Sequence, residues 1–316
     1  MIIKCFGACV AYVICVGDVW SAFLRKEYVG EYYSSRGFIS FLTAVAFVCL
    51  MLPLSLPKHI NSLRYVSLVG VSFILLFVLV VIVHSCAAIT QPDFDNGGLV
   101  YFQSGENALR GMGLFMFAYL CQSNMFEVWN EMRPAPTVRR MEVEGFIGML
   151  ICTVLYWFSG LFGYLEFGEN IRPSLLSMYT PTKNIFFAFA YCGIVVKLCV
   201  AFALHVLPCR DAIYHLIEWN LETLLRNKNI AFCASLSLLS LLLGLLIPNI
   251  SVVFGLLGSF AGGFVGFIFP ALFFMYCGGF TVEAVGYQDF YGAYALLISG
   301  VIVVCFGTTV TIYNYF

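Results

Sequence analysis

Four small or polar side chains in succession, inside a run long enough to cross a membrane, are the first place this sequence could do chemistry. The run is GLFMFAYLCQSNMFEVWNEMRP, from Gly113 to Pro134. The side chains are Cys121, Gln122, Ser123 and Asn124, with Tyr119 two residues before them. In hydrocarbon each unpaired polar group costs several kcal/mol. Two arrangements relieve that cost: hydrogen bonds between packed helices, or a solute path at the bilayer midplane. Glu127, Asn130, Glu131 and Arg133 then mark a boundary, and Pro134 and Pro136 stop any helix.

A second candidate is a lone charge. Lys197, in YCGIVVKLCVAFALHVLP, lies about 13 residues into its apolar run, or about 20 Å at the helical rise. That is past the middle of a hydrocarbon core about 30 Å thick. A lysine stem reaches about 6 Å, too little for either surface. The amine must face a wet cavity, meet a carboxylate or lose its charge. A functional role and a structural pair both stay open. Asp18 lies about 9 Å from the outer end of its own run. A direct pair with Lys197 is therefore disfavoured, though a bridged network is not. Glu127 and Glu166 fall near run ends and are expected to be solvated boundary carboxylates.

A third feature is a stripe. In GLLGSFAGGFVGFIFP, Gly258, Gly262 and Gly266 recur every four residues, so a neighbouring backbone can approach closely. The stripe is either static packing or a thin helix that lines or gates a cavity.

The elements that must position these residues are membrane helices. The chain is 61% hydrophobic and 10% charged, with a mean hydropathy of +0.93. Soluble domains carry about 25% charged residues, so this is an integral membrane protein. A net charge of −1 offers nothing to nucleic acid. Nearly all of the thirteen cysteines lie in apolar runs and no CxxC occurs, so they read as small hydrophobes, not metal or redox ligands. A span needs about 20 mostly apolar residues. Nine runs qualify, at about 2–24, 38–56, 65–89, 109–127, 143–164, 184–207, 229–247, 250–275 and 291–313. With the N-terminus in the cytoplasm, nine Lys and Arg, among them Lys4 and Arg210, fall inside against six outside. That predicts a multi-pass protein with an inner N-terminus and an outer C-terminus.

Enzyme chemistry finds little support. Val16-Gly17-Asp18 lacks the preceding glycine of an intramembrane aspartyl protease motif, with Cys15 in its place, and no second buried aspartate is visible. Gly258-Ser259 lacks the GxSxG pattern. The expectation is a non-enzyme.

Four segments in order carry a family resemblance: LPLSLPKHINSLRY, FMFAYLCQSNMFEVWNEMR, GYLEFGENIRPSLL and GLLGSFAGGFVGFIFPALFF. Together they resemble the amino acid/auxin permease family, closest to its protist amino acid transporters, across about Ile2 to Phe316. The resemblance implies an all-α polytopic bundle, with ten of eleven helices in two inverted five-helix repeats of the LeuT type. It implies secondary active transport of amino acids by alternating access, coupled to protons, with Na⁺ as the alternative ion. It implies no cofactor and no metal; the partners are the amino acid, the coupling ion and the bilayer. The first and sixth helices of that fold are broken at the midplane and bind substrate. Tyr119, Cys121, Gln122, Ser123 and Asn124 correspond to the broken sixth helix. Lys197 falls on the eighth, where a lysine amine could replace sodium and couple transport to protons.

The chain departs from the family in one respect. Its first span aligns with the family's third helix, so the first two helices are expected to be missing. The expected organisation is one transporter domain, 1–316, holding family helices three to eleven as a partial inverted-repeat fold of about nine spans. Only one interrupted segment is visible, so half of the binding site would be absent. The alternative function is therefore a truncated, non-transporting membrane protein, inert or assembled with a full-length relative.

Overall fold

The computed structural model describes residues 1–25, 30–57, 64–92, 94, 98–101, 105–122, 125–132, 136–172, 174–220, 223–247 and 250–313. Among them the regular elements are helices, with no strand. In chain order they are α1 (Ile2–Phe23), α2 (Arg36–Ser55), α3 (Arg64–Ile89), α4 (Glu106–Ala118), α5 (Met125–Glu131) and α6 (Val138–Phe167). There follow α7 (Ile185–Leu216), α8 (Arg226–Leu246), α9 (Ile250–Tyr276) and α10 (Tyr287–Tyr313). Eight of these, all but α4 and α5, are long and apolar enough to cross a membrane. The protein is an all-α, polytopic membrane helix bundle. The ninth expected run, 109–127, is not one helix: its polar centre divides it into α4 and α5.

The chain forms two compact units. Unit one holds 1–8, 103–126 and 251–316, and unit two holds 9–102 and 127–250.

Unit two is built on α7. Asn184 starts that helix by accepting from the Phe186 N–H at 2.9 Å, satisfying one of the donors a helix start leaves open. Both glycines of its packing with α3 admit close approach: Gly193 faces the Phe73 ring, and Gly70 faces Lys197. Phe187 is stacked on Tyr179 with centroids 4.6 Å apart, and Tyr191 meets Phe77 edge-on at 5.8 Å. Burying such rings supplies most of the apolar contact here.

Two expectations about α7 fail. The helix was expected to end near Pro208, yet α7 runs through it to Leu216. A proline inside a helix costs about 3 kcal/mol. Burial of Val206, Leu207 and Cys209 around it, and a Tyr214 hydroxyl donating to Asn229 Oδ1 at 3.3 Å, hold the helix together. Arg210, expected as an exposed inner charge, is therefore fully buried, with Nε on Asp211 Oδ1 at 2.8 Å and Nη1 on the Pro57 carbonyl at 3.4 Å.

Prolines also explain two wide turns. Pro53 and Pro270 each lack the N–H that would close a regular turn, and a π-helical stretch precedes each, at Phe47–Met51 and Phe264–Ile268.

Phe187→Ala should lower the unfolding free energy by about 3–5 kcal/mol in denaturant titrations of the detergent-solubilised protein. A loss below about 1 kcal/mol would show that the ring cluster does not tie α3 to α7.

Candidate functional site

The interrupted segment lies in unit one. α4 ends at Ala118, Tyr119 leaves helical geometry at φ −96°, ψ 4°, and α5 begins at Met125. Serine and asparagine side chains compete with the helix for backbone hydrogen bonds, which fits a break at this composition. Tyr119 and Gln122 are half-buried and Cys121 is exposed. Ser123 and Asn124 lie outside the described residues.

Breaking the helix releases carbonyls, and one of them has found a cation. The ammonium of Lys4, on the first turn of α1, donates to the Leu120 carbonyl at 3.3 Å. Lys4 is 1% exposed. That corrects its assignment as an inner-side loop charge. With Arg210 also buried, two of the nine inner charges that set the expected orientation lie inside the protein.

The glycine stripe of α9 faces this same segment; the spacing of four pointed to a close backbone neighbour without saying which. A Cβ on Gly258 would run into the Gly113 carbonyl and the Phe117 nitrogen of α4. Gly262 faces Leu120 and Met116, and a Cβ on Gly266 would stand 3.3 Å from the Leu120 side chain and 3.7 Å from the Gln122 amide nitrogen. The contact is backbone on backbone, closed by a Phe117–Phe254 stack at 4.5 Å. Around it, Gln122 Oε1, Ser259 Oγ and Thr308 Oγ1 are buried without a hydrogen-bond partner among the described residues. Ser259 is wedged between glycines: a Cβ on Gly113 or Gly307 would stand 2.5 Å from its hydroxyl. Unsatisfied buried polar atoms are rare in native folds, and each calls for an explanation.

The site residues thus divide. Tyr119, Cys121, Gln122, Gly258, Gly262 and Gly266 share unit one, whereas Lys197 belongs to unit two. Lys197 is half-buried on α7, its stem against Gly70 of α3. No carboxylate pairs with it among the described residues, Asp18 included. None of the thirteen cysteines is in a disulfide.

Unit two also holds a polar network that sequence reasoning missed. Glu166 is 8% exposed, not solvated as its place near a run end suggested. Its Oε2 accepts from Ser85 Oγ at 2.6 Å and from the Tyr179 hydroxyl at 2.9 Å, and its Oε1 meets His84 Nδ1 at 3.0 Å. The carboxylate joins α3, α6 and the 168–184 connection. Burial, and then the adjacent carboxylate, push the Tyr179 phenol well above its usual range. It stays a hydroxyl donor at every neutral pH. The available signal was the pair His84-Ser85 in the apolar run VIVHSCAAI.

The family model described as transmembrane amino acid transporter protein matches residues 1–314. Vacuolar amino acid transporter 6 of Saccharomyces cerevisiae is 31% identical over 220 residues, 68% of this chain and 48% of the relative. Vacuolar amino acid transporter 5 of Schizosaccharomyces pombe is 28% identical over 275 residues, 85% of this chain and 63% of the relative. Sodium-coupled neutral amino acid transporter 7 of Danio rerio is 28% identical over 288 residues, 84% of this chain and 59% of the relative. The chain therefore spans about half to two thirds of these relatives' lengths. No solved structure matches it.

Gly258→Ala should reduce folded yield sharply, because backbone must move to admit the methyl, whereas Gly292→Ala, with open space around it, should not. Fluorescence-detected size exclusion of the two variants checks this; equal yields would refute the close approach. Raising pH past 10, the usual tyrosine value, ionises the unfolded phenol before the folded one, so stability present below that pH is lost above it. Tyr179→Phe should make that alkaline decline shallower in thermal unfolding, and an unaltered slope would place Tyr179 elsewhere.

Proposed function

Since the chain belongs to the transmembrane amino acid transporter family, we propose that it carries amino acids across a membrane by secondary active transport. Alternating access is the mode, and the interrupted α4–α5 segment is where the substrate is held. One observation carries this reading: a helix broken at its polar centre, with a buried ammonium on the Leu120 carbonyl and the Gln122 amide oxygen unpartnered beside it. An α-amino acid is a zwitterion. Its ammonium needs acceptors such as Gln122 Oε1 and released carbonyls, and its carboxylate needs donors such as a lysine amine or backbone N–H groups. The face of α9 that carries Gly258, Gly262 and Gly266 supplies a thin wall against which that segment can shift.

The chain acts as one transporter domain with a cytoplasmic N-terminus and an outer C-terminus in this reading. The coupling ion is a proton, with Na⁺ the alternative that one relative's name raises. Lys197 is the coupling group: an amine on α7 without a carboxylate partner can exchange a proton when the site opens.

Labelled amino acid uptake into proteoliposomes tests the substrate site. Lys4→Met and Gln122→Leu should each cut uptake per folded molecule about tenfold or more, the scale of a hydrogen bond to a charged group. Reduced yield with unchanged uptake per folded molecule would make both residues helix-packing groups instead. Lys197→Met should abolish the dependence of uptake on a pH gradient. Uptake driven by Na⁺ and indifferent to pH in the parent would remove Lys197 from coupling.

A further inference from the structure

Unit two contains a charged recess, remote in sequence from the interrupted segment. α1 lines it with Asp18 and Ser21, α2 with Arg36, Ser40 and Thr43, and the end of α8 with Gly244 and Leu245, and Ser34 sits just ahead of α2. The cavity measures about 340 Å³, within the range of small-molecule sites. Three of its features point to a ligand.

The first is the carboxylate. Asp18 is half-buried in a span-length helix, and no hydrogen bond or ion pair reaches its side chain among the described residues. The Ser21 hydroxyl, which could have served it, donates at 2.7 Å to the Asp18 backbone carbonyl instead. An ionisable side chain inside a membrane span is costly and marks a functional site by default.

The second feature is the cation opposite. Arg36 opens α2, and among the described residues its guanidinium makes only long contacts, 3.4 Å to the Leu245 carbonyl and 3.5 Å to that of Leu246. Those carbonyls end α8. A guanidinium offers five donors in a fixed fork, so a carboxylate arriving at the mouth would meet a planar, bidentate partner. The two charges do not neutralise each other: no ion pair joins Asp18 to Arg36.

The third is the lining between them. Ser21 and Thr43 turn their hydroxyl protons back onto their own helices, Thr43 to the Ile39 carbonyl at 2.9 Å. Their oxygens keep acceptor capacity toward the recess. Asp18 lies five residues before the end of α1, about 7–8 Å along the axis. The recess is thus lined by an exposed guanidinium and a half-buried carboxylate, with hydroxyl oxygens beside them.

We infer that this recess is a second binding station for a zwitterionic α-amino acid, its carboxylate on Arg36 and its ammonium on Asp18. The assignment rests on the amino acid transport reading for its substrate class, but its residues are separate from the interrupted segment. A ligand with only one of the two charges would leave either Asp18 or Arg36 unanswered.

Equilibrium dialysis of the full chain in detergent, against a panel of the twenty labelled L-amino acids, tests the inference. The parent should bind two molecules per chain of at least one of them. Asp18→Asn and Arg36→Gln should each leave one, or weaken the second by about tenfold or more. Gln122→Leu should also leave one, and Asp18→Asn combined with Gln122→Leu none. Unlabelled N-acetyl and amide derivatives of the bound amino acid should compete poorly at the station that Gln122→Leu retains. A stoichiometry unchanged by Asp18→Asn and Arg36→Gln overturns the second station and leaves the first intact. One molecule bound, lost in Gln122→Leu, overturns it equally. One molecule bound in Gln122→Leu and in the parent, lost in Asp18→Asn, would uphold this station and refute the other. Arg36→Lys, which keeps the charge and loses the fork, should retain partial binding and so separates a lost contact from a misfolded chain.

Discussion

A carbonyl released from its helix in a low-dielectric interior has to be answered by a donor, and here the Leu120 carbonyl is answered by the Lys4 ammonium. That single contact brings the first turn of α1 to the point where α4 stops. A membrane span cannot be interrupted cheaply: several kcal/mol attend each unpaired backbone group. Irregular backbone at such depth is tolerated where protein buries it or where it lines a cavity. The break and the buried lysine therefore explain each other. Neither would be stable in apolar surroundings alone.

Close backbone packing is the second condition. Gly258 lies against the carbonyl of Gly113, and Gly262 and Gly266 continue the contact to Leu120 and Gln122. Only glycines let α9 come that near α4, and π-helical turns at Leu257–Gly262 and Phe264–Ile268 keep the stripe facing the broken segment. The cost is visible in Ser259 and Gln122, whose oxygens are buried without partners. Around Glu166, unit two solves its polar burial differently. Glu166 satisfies both carboxylate oxygens with His84, Ser85 and Tyr179, so this part of the fold carries a saturated network where unit one carries an open one.

Much of this was legible in the residues. Apolar runs of about 20 residues located the spans, and the polar run at Cys121 to Asn124 located the break, because hydrophobicity and its interruption are properties of consecutive residues. Spacing by four located the glycine face. Tertiary partners were not legible. Lys4 sits at the edge of an apolar run and read as a topological charge, yet it folds inward onto a carbonyl 116 residues away. Glu166 read as solvated because only its position in its own run was visible, and its partner Ser85 is 81 residues distant. The expected run stopped at 207, just before Pro208, because apolar residues alone bounded it, and the buried neighbours that carry the helix on to Leu216 are tertiary.

Thiol protection at the break tests the central claim most directly, since Cys121 is exposed there and Cys277 is exposed elsewhere. Alkylation of each cysteine by N-ethylmaleimide can be timed by mass spectrometry on the reconstituted chain, with and without each of the twenty amino acids at saturation. The account predicts that a transported amino acid slows alkylation of Cys121 severalfold and leaves Cys277 unchanged. Uptake of an amino acid that protects neither residue, with Cys121 modified at its unliganded rate throughout, would contradict it.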